Sequence, residues 1–192
     1  MAQLSFRFLP CETCNDHQVR VLVDGGDVLA SINKTALGID PVEFFAQEAL
    51  RNTGLLRIGR CECGCVGCCD IAVSVARNGS IIEWASEYPG MQKLVFEFSD
   101  YVRSIEAGAQ NTGWETTERT AERLVSQLDF SFLKKEGLIF EWASGRIAPD
   151  KITLSFSRDK KQELFHASWN HRDPNEAVVA VREMLEQWPP AS

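Results

Sequence analysis

Five cysteines crowd the stretch Cys61-Glu62-Cys63-Gly64-Cys65-Val66-Gly67-Cys68-Cys69, and two more form Cys11-x-x-Cys14. Thiols at this density hold a metal or do redox work, because the thiolate is both a ligand and a nucleophile. A two-residue spacer lets two thiolates face one ion from a tight turn, and two such turns complete the four-sulfur tetrahedron that zinc takes. By spacing, Cys11 and Cys14 with Cys65 and Cys68 are the expected ligands. Cys61 and Cys63 are the alternates. If the incoming strand continues, they share one face with Cys65, because side chains alternate with period two. Such a face also suits redox or soft-metal chemistry, or a set of small unligated thiols. Gly64 and Gly67 favour the tight backbone that a metal loop needs.

Neighbouring Cα atoms stand about 3.8 Å apart, below the roughly 4.4 to 6.8 Å of a relaxed disulfide, so Cys68 and Cys69 are expected to be reduced. Cys11-x-x-Cys14 leads into a strand rather than a helix, unlike a thioredoxin-type redox pair. His17 follows Cys14 closely enough to replace a thiolate as ligand, or it is a solvated loop histidine. His166 and His171 lie five positions apart, which in a strand places them on opposite faces. No catalytic residue is assigned. The chain holds no Gly-x-Ser-x-Gly elbow, no phosphate-binding glycine loop and no His-Glu-x-x-His helix.

Composition narrows the setting. The 192 residues can bury a core without disulfides, and the net charge is -7. Neither half is basic, so a nucleic-acid backbone and an anionic membrane surface are both disfavoured as partners. The start, Met1 to Pro10, lacks the pattern of an export leader, and no apolar stretch reaches membrane-spanning length. The expectation is a cytoplasmic protein with reduced thiols and an unknown protein partner.

Elements must carry these loops. Leu4, Phe6 and Phe8 alternate with polar residues, and the runs 18–23 and 28–32 flank Asp24-Gly25-Gly26-Asp27, which reads as a hairpin turn. Asp40-Pro41-Val42-Glu43 opens a helix to about Arg51. Strands at 55–60 and 70–77 flank the cysteine loop, Asn78-Gly79 reads as the next turn, and strands follow at 80–85 and 93–99. A helix from Thr116 or Thr117, strands at 138–144, 151–157 and 163–169, and a helix opened by Asp173-Pro174-Asn175-Glu176 complete the chain. The small, polar run 107–113 suggests a break between a β-rich subdomain, 1–106, and an α+β subdomain, 107–192. Glu83-Trp84-Ala85-Ser86 recurs as Glu141-Trp142-Ala143-Ser144 in surroundings that do not repeat. The expected fold class is α+β, mainly antiparallel sheet with three or four helices.

The segment Ile58-Gly59-Arg60-Cys61-Glu62-Cys63-Gly64-Cys65-Val66-Gly67-Cys68, followed by a Val-rich strand, a hairpin and Trp84, resembles one found in bacterial proteins of unknown function. Their pattern, Cys-x-Cys-Gly-x-x-Gly-Cys, matches Cys61, Cys63 and Cys68, while Cys65, Cys69, Cys11 and Cys14 fall outside it. The resemblance implies no activity. The leading expectation is a non-enzymatic interaction protein whose loop is stapled by zinc, the metal adding folding free energy. The alternative is thiol-based redox or soft-metal handling through Cys61 to Cys69.

Overall fold

The computed structural model describes residues 1–11, 16–63, 69–89 and 91–188. The chain divides into two compact units, Met1–Trp114 and Glu115–Ser192.

The first unit starts with β1 (Leu4–Pro10), β2 (His17–Val23) and the short β3 (Gly26–Asp27), paired antiparallel in that order. Asp24 and Gly25 both have positive φ, at 50° and 80°, and Val23 pairs with Gly26. That is the two-residue turn whose twist suits a hairpin. The strand then stops after two residues, and Val28–Ile32, read as strand from composition, is a short helix, α1. Its cause is local. The Asp27 carboxylate accepts the Ala30 N–H and caps the first turn.

Asp40 caps α2 (Pro41–Ala46) by accepting from the Val42 and Glu43 N–H groups, with Pro41 at the first position. This helix ends short of Arg51 because Gln47 turns extended and its side-chain amide pairs both ways with the Arg57 backbone, at 2.9 Å each. A single 3-10 turn, Glu48–Leu50, follows. Then come β4 (Gly54–Arg60), β5 (Asp70–Asn78), β6 (Ile81–Ala85) and β7 (Leu94–Glu97), an antiparallel sheet in chain order. Asn78 pairs with Ile81, so the turn is Gly79-Ser80, one residue later than Asn78-Gly79, with positive φ at Gly79. Ile71, Val73 and Val75 are buried on one face, as the alternation requires.

Glu97 caps α3 (Phe98–Gln110), which buries Tyr101, Ile105 and Gly108. Hence residues 107–110, taken from composition as linker, are helical; their small side chains let the helix lie close to Phe6 and Phe45. Trp84, Phe44, Phe96, Leu56 and Ile58 are among the largest side chains buried to within 2% in the core. Each contributes roughly 1.5–3 kcal/mol of transfer free energy. Residues 36–40 join the two sheets: the Val19 N–H donates to the Ile39 carbonyl at 2.8 Å, and Leu37 and Arg60 exchange both backbone bonds.

In the second unit, Thr116 caps α4 (Thr117–Ser126), a 3-10 turn spans Ser131–Glu136, and β8 (Ile139–Ser144), β9 (Lys151–Arg158) and β10 (Lys161–Ser168) form an antiparallel sheet with β9 central. Asp173 caps α5 (Pro174–Glu186), which packs against α4 and β10. Ala121, Val125, Leu154, Phe156, Ala177 and Val181 are buried in its core. The buried Glu122 carboxylate accepts from Ser144 Oγ, the Gly145 N–H, Arg146 Nε and Arg119 Nη1 at 2.8–3.1 Å, which stitches α4 to the end of β8. The repeated tetrapeptide has no structural counterpart: Ala85 is exposed, whereas Ala143 is buried behind a bulge at Glu141.

The fold is therefore α+β with antiparallel sheets. It has five α-helices and two 3-10 turns among the described residues, where three or four helices were expected. The additions are α1, hidden in a strand-like run, and α3, hidden behind a linker-like end.

Candidate thiol site

The cysteine loop is the connection of the β4–β5 hairpin, whose last pair is Arg60 with Asp70. Its ends are fixed from several directions. The Cys61 N–H donates to the Cys69 carbonyl at 3.1 Å, which closes the root. Arg60 is held by Leu37 on its other side, and the Tyr88 hydroxyl donates to the Asp70 carbonyl at 3.0 Å. The Asp70 carboxylate lies 3.5 Å from Arg57 Nη1. A bulge at Ile58, between Arg57 paired with Ala72 and Gly59 paired with Ile71, sets this register.

Among the described residues, this root carries three cysteines outside any disulfide: Cys61, partly exposed, and Cys63 and Cys69, both exposed. Cys61 Sγ and Cys63 Sγ stand 2.7 Å apart. That is longer than the roughly 2.05 Å of a disulfide bond. It is shorter than the sulfur–sulfur edge of about 3.8 Å that follows from zinc–sulfur bonds of about 2.3 Å in a tetrahedron. A turn at Glu62 and Cys63 brings the two side chains together. The one-residue spacer therefore does what adjacent cysteines cannot: it gives two sulfurs freedom to meet. The guanidinium Nε of Arg60, next in sequence, is buried without a hydrogen-bond partner among the described residues.

Of the expected ligands, Cys14, Cys65 and Cys68 lie outside the described residues. Cys11 is disulfide-bonded, in contrast to the expectation of reduced thiols throughout, and its partner is none of Cys61, Cys63 and Cys69. A disulfide sulfur offers no thiolate, so ligation by Cys11 would require its prior reduction. β2 and β4 both pair antiparallel with residues 37–39, so these two strands run the same way. Cys11 precedes the start of β2, whereas Cys61 follows the end of β4. Cys11 and Cys61 thus lie toward opposite strand ends, on the order of 15 Å apart along the strands at about 3.3 Å per residue. Among the described residues, no group of three or more His, Cys, Asp and Glu converges on a metal-sized point.

The histidines serve other contacts. The His17 ring lies 5.4 Å from that of Trp114, which in turn stacks on Phe8. His166 Nδ1 is 3.1 Å from Thr153 Oγ1, and His171 stacks on Trp169 with Nδ1 3.6 Å from a Glu118 carboxylate oxygen. The residues that sequence reasoning missed are the anchors: Leu37, Arg57 and Tyr88. Each acts across a register or a loop closure, for which no local signal exists. No described helix is long and apolar enough to cross a membrane. No family model, no curated protein and no solved structure matches this chain.

Proposed function

We propose that the chain acts in thiol–disulfide exchange through Cys61 and Cys63. The observation that carries this reading is the 2.7 Å approach of the Cys61 and Cys63 sulfurs, neither of them in a disulfide, on a hairpin root closed by backbone pairing. Cys63 is exposed and Cys61 half-buried, which suits an attacking and a resolving thiol. The Cys63 thiolate attacks a disulfide of a partner molecule, forming a mixed disulfide and releasing one partner thiolate. The Cys61 thiolate then attacks the Cys63 sulfur, forming the Cys61–Cys63 disulfide and releasing the second. Two electrons pass to the partner disulfide, and both of its sulfurs leave as thiolates. The test is equilibration with glutathione at graded ratios, followed by peptide mass spectrometry. A disulfide between Cys61 and Cys63 should form and revert, and should be lost in Cys63→Ser. Its failure to form at any ratio would sink the reading.

Structural zinc is the second reading, that of an interaction protein with a metal staple. It is favoured by Cys69, whose free thiol belongs to the same root. Rotation of the Cys61 and Cys63 side chains would widen their separation to a tetrahedral edge, and Cys69 would be a third sulfur. Elemental analysis of chelator-free protein decides between them: one tightly held zinc that blocks oxidation of Cys61 and Cys63 replaces the exchange reading with this one.

A further inference from the structure

A cavity of about 460 Å³ opens between α3, the 3-10 turn before β4 and the strands β5 and β6. Its buried wall is aliphatic, from Leu50, Val75, Ile82 and Ile105, with Tyr101 of α3 beside them. The volume falls in the range of small-molecule sites.

The mouth carries charge. Arg51 and Arg77 both line it, against the single carboxylate of Glu106, in a chain whose net charge is -7. Arg77 is held in place: its guanidinium carbon lies 3.6 Å from the centroid of the Phe98 ring, and Nε donates to the Gly79 carbonyl at 3.1 Å. Its two terminal nitrogens have no partner among the described residues. Arg51 spends one donor on the Phe45 carbonyl and presents the rest to solvent. A planar guanidinium fixed on an aromatic face beside an apolar recess is prepared for a carboxylate, with little ordering left to do on binding.

From this geometry we infer that the cavity binds a small amphipathic carboxylate, its apolar body against Leu50, Val75, Ile82 and Ile105 and its head group on Arg77, with Arg51 adding attraction. Glu106 sets the limit of the site, since it repels a second anionic group. The site stands apart from the cysteine loop and does not depend on its chemistry.

The experiment is isothermal titration of the full chain with decanoate, decanol and decylamine, the two ionic ligands below their micelle concentrations and decanol below its solubility limit. Decanoate should bind one per chain, and decanol and decylamine at least roughly ten-fold more weakly, because a charge-assisted bidentate contact is absent from both. Arg77→Gln, an exposed position, should cost decanoate roughly ten-fold while leaving decanol unchanged. Val102→Trp, which fills the recess from α3, should abolish binding of all three. Equal or tighter binding of decanol or decylamine, no saturable binding of decanoate, or an Arg77→Gln chain that binds decanoate as well as the original would each overturn the inference. Should Val102→Trp fail to fold, the ligand comparison and Arg77→Gln decide the matter.

Discussion

Asp27 holds three things at once, and removing its carboxylate tests the energetic logic of the first unit. Its oxygens accept from Arg20 Nε at 2.9 Å, from Arg20 Nη2 at 3.0 Å and from the Ala30 N–H at 3.1 Å. Arg20 is 8% exposed, and its Nη1 donates to the Ala36 carbonyl at 2.7 Å. Asp27→Ala removes the cap of α1, a loss of about 1 kcal/mol, and leaves a buried guanidinium without its counter-charge. Breaking a buried pair from one side costs about 3–5 kcal/mol, so the total should fall in or just above that range at neutral pH. Asp27→Asn retains an acceptor for Ala30 and one for Arg20, and should cost about 2 kcal/mol.

The pH dependence separates charge from shape. Burial raises the Asp27 pKa, but the Arg20 hydrogen bond, the Ala30 N–H and the charges of Arg20 and Arg7 outweigh it, leaving the carboxyl below its ordinary 3.8. A depressed folded-state value means that stability from this group is present above pH 3.8 and is lost as pH falls through the lower folded value. The gap between the native chain and Asp27→Asn should therefore close at acid pH. The assay is urea unfolding read by pulsed hydrogen exchange on peptides from β2, which reports the first unit alone. A cost below about 1 kcal/mol for Asp27→Ala, or an Asp27→Asn gap that persists well below pH 3.8, would refute this account.

Two further outcomes follow from close packing and burial. An added Cβ at Gly38 would meet the Val19 carbonyl oxygen at 2.2 Å, whereas at Gly108 it would meet the Phe6 and Phe45 rings at 2.6 Å. Gly38→Ala should thus prevent the 36–40 segment from seating and cost more than the about 1–3 kcal/mol of overpacking expected for Gly108→Ala, as thermal unfolding would read. Burial pushes the Tyr101 phenol up to about 12, against a smaller lowering from the Trp84 indole. Its neutral form is favoured in the folded chain, so its contribution is intact below pH 10 and is lost as pH rises toward about 12. Tyr101→Phe should flatten the alkaline limb of the stability curve in that window and change neutral-pH stability by less than about 1 kcal/mol, since the hydroxyl has no hydrogen-bond partner of good geometry to lose.

Much of the strand pattern was legible because one buried face imposes period two: Ile71, Val73 and Val75 all point inward as the alternation demands. Helices with explicit caps, at Asp40, Thr116 and Asp173, were legible for the same kind of local reason. Helices whose caps sit beside or inside a strand-like run, at Asp27 and Glu97, were misread. Val28–Ile32 is apolar enough for a strand, and only the Asp27 contacts make it helical; α3 begins directly from β7 without a turn residue between them. The cysteine loop was placed between the right strands, but the choice among thiols was not legible. That choice depends on strand directions and on the register set by a bulge at Ile58, both of which are long-range.

The single hydrogen bond from Cys61 to Cys69 has a wider consequence. Because the neck of the loop is fastened there and at Arg60 with Asp70, the rest of the unit encounters the same two anchor points whatever is spliced between them. The free energy of closing such an excursion grows only slowly with its length, by about 0.6 kcal/mol per doubling. Inheritance can therefore lengthen, shorten or reassign the thiols of this loop nearly independently of the scaffold, so the chemistry of the chain is free to diverge while its architecture stays put.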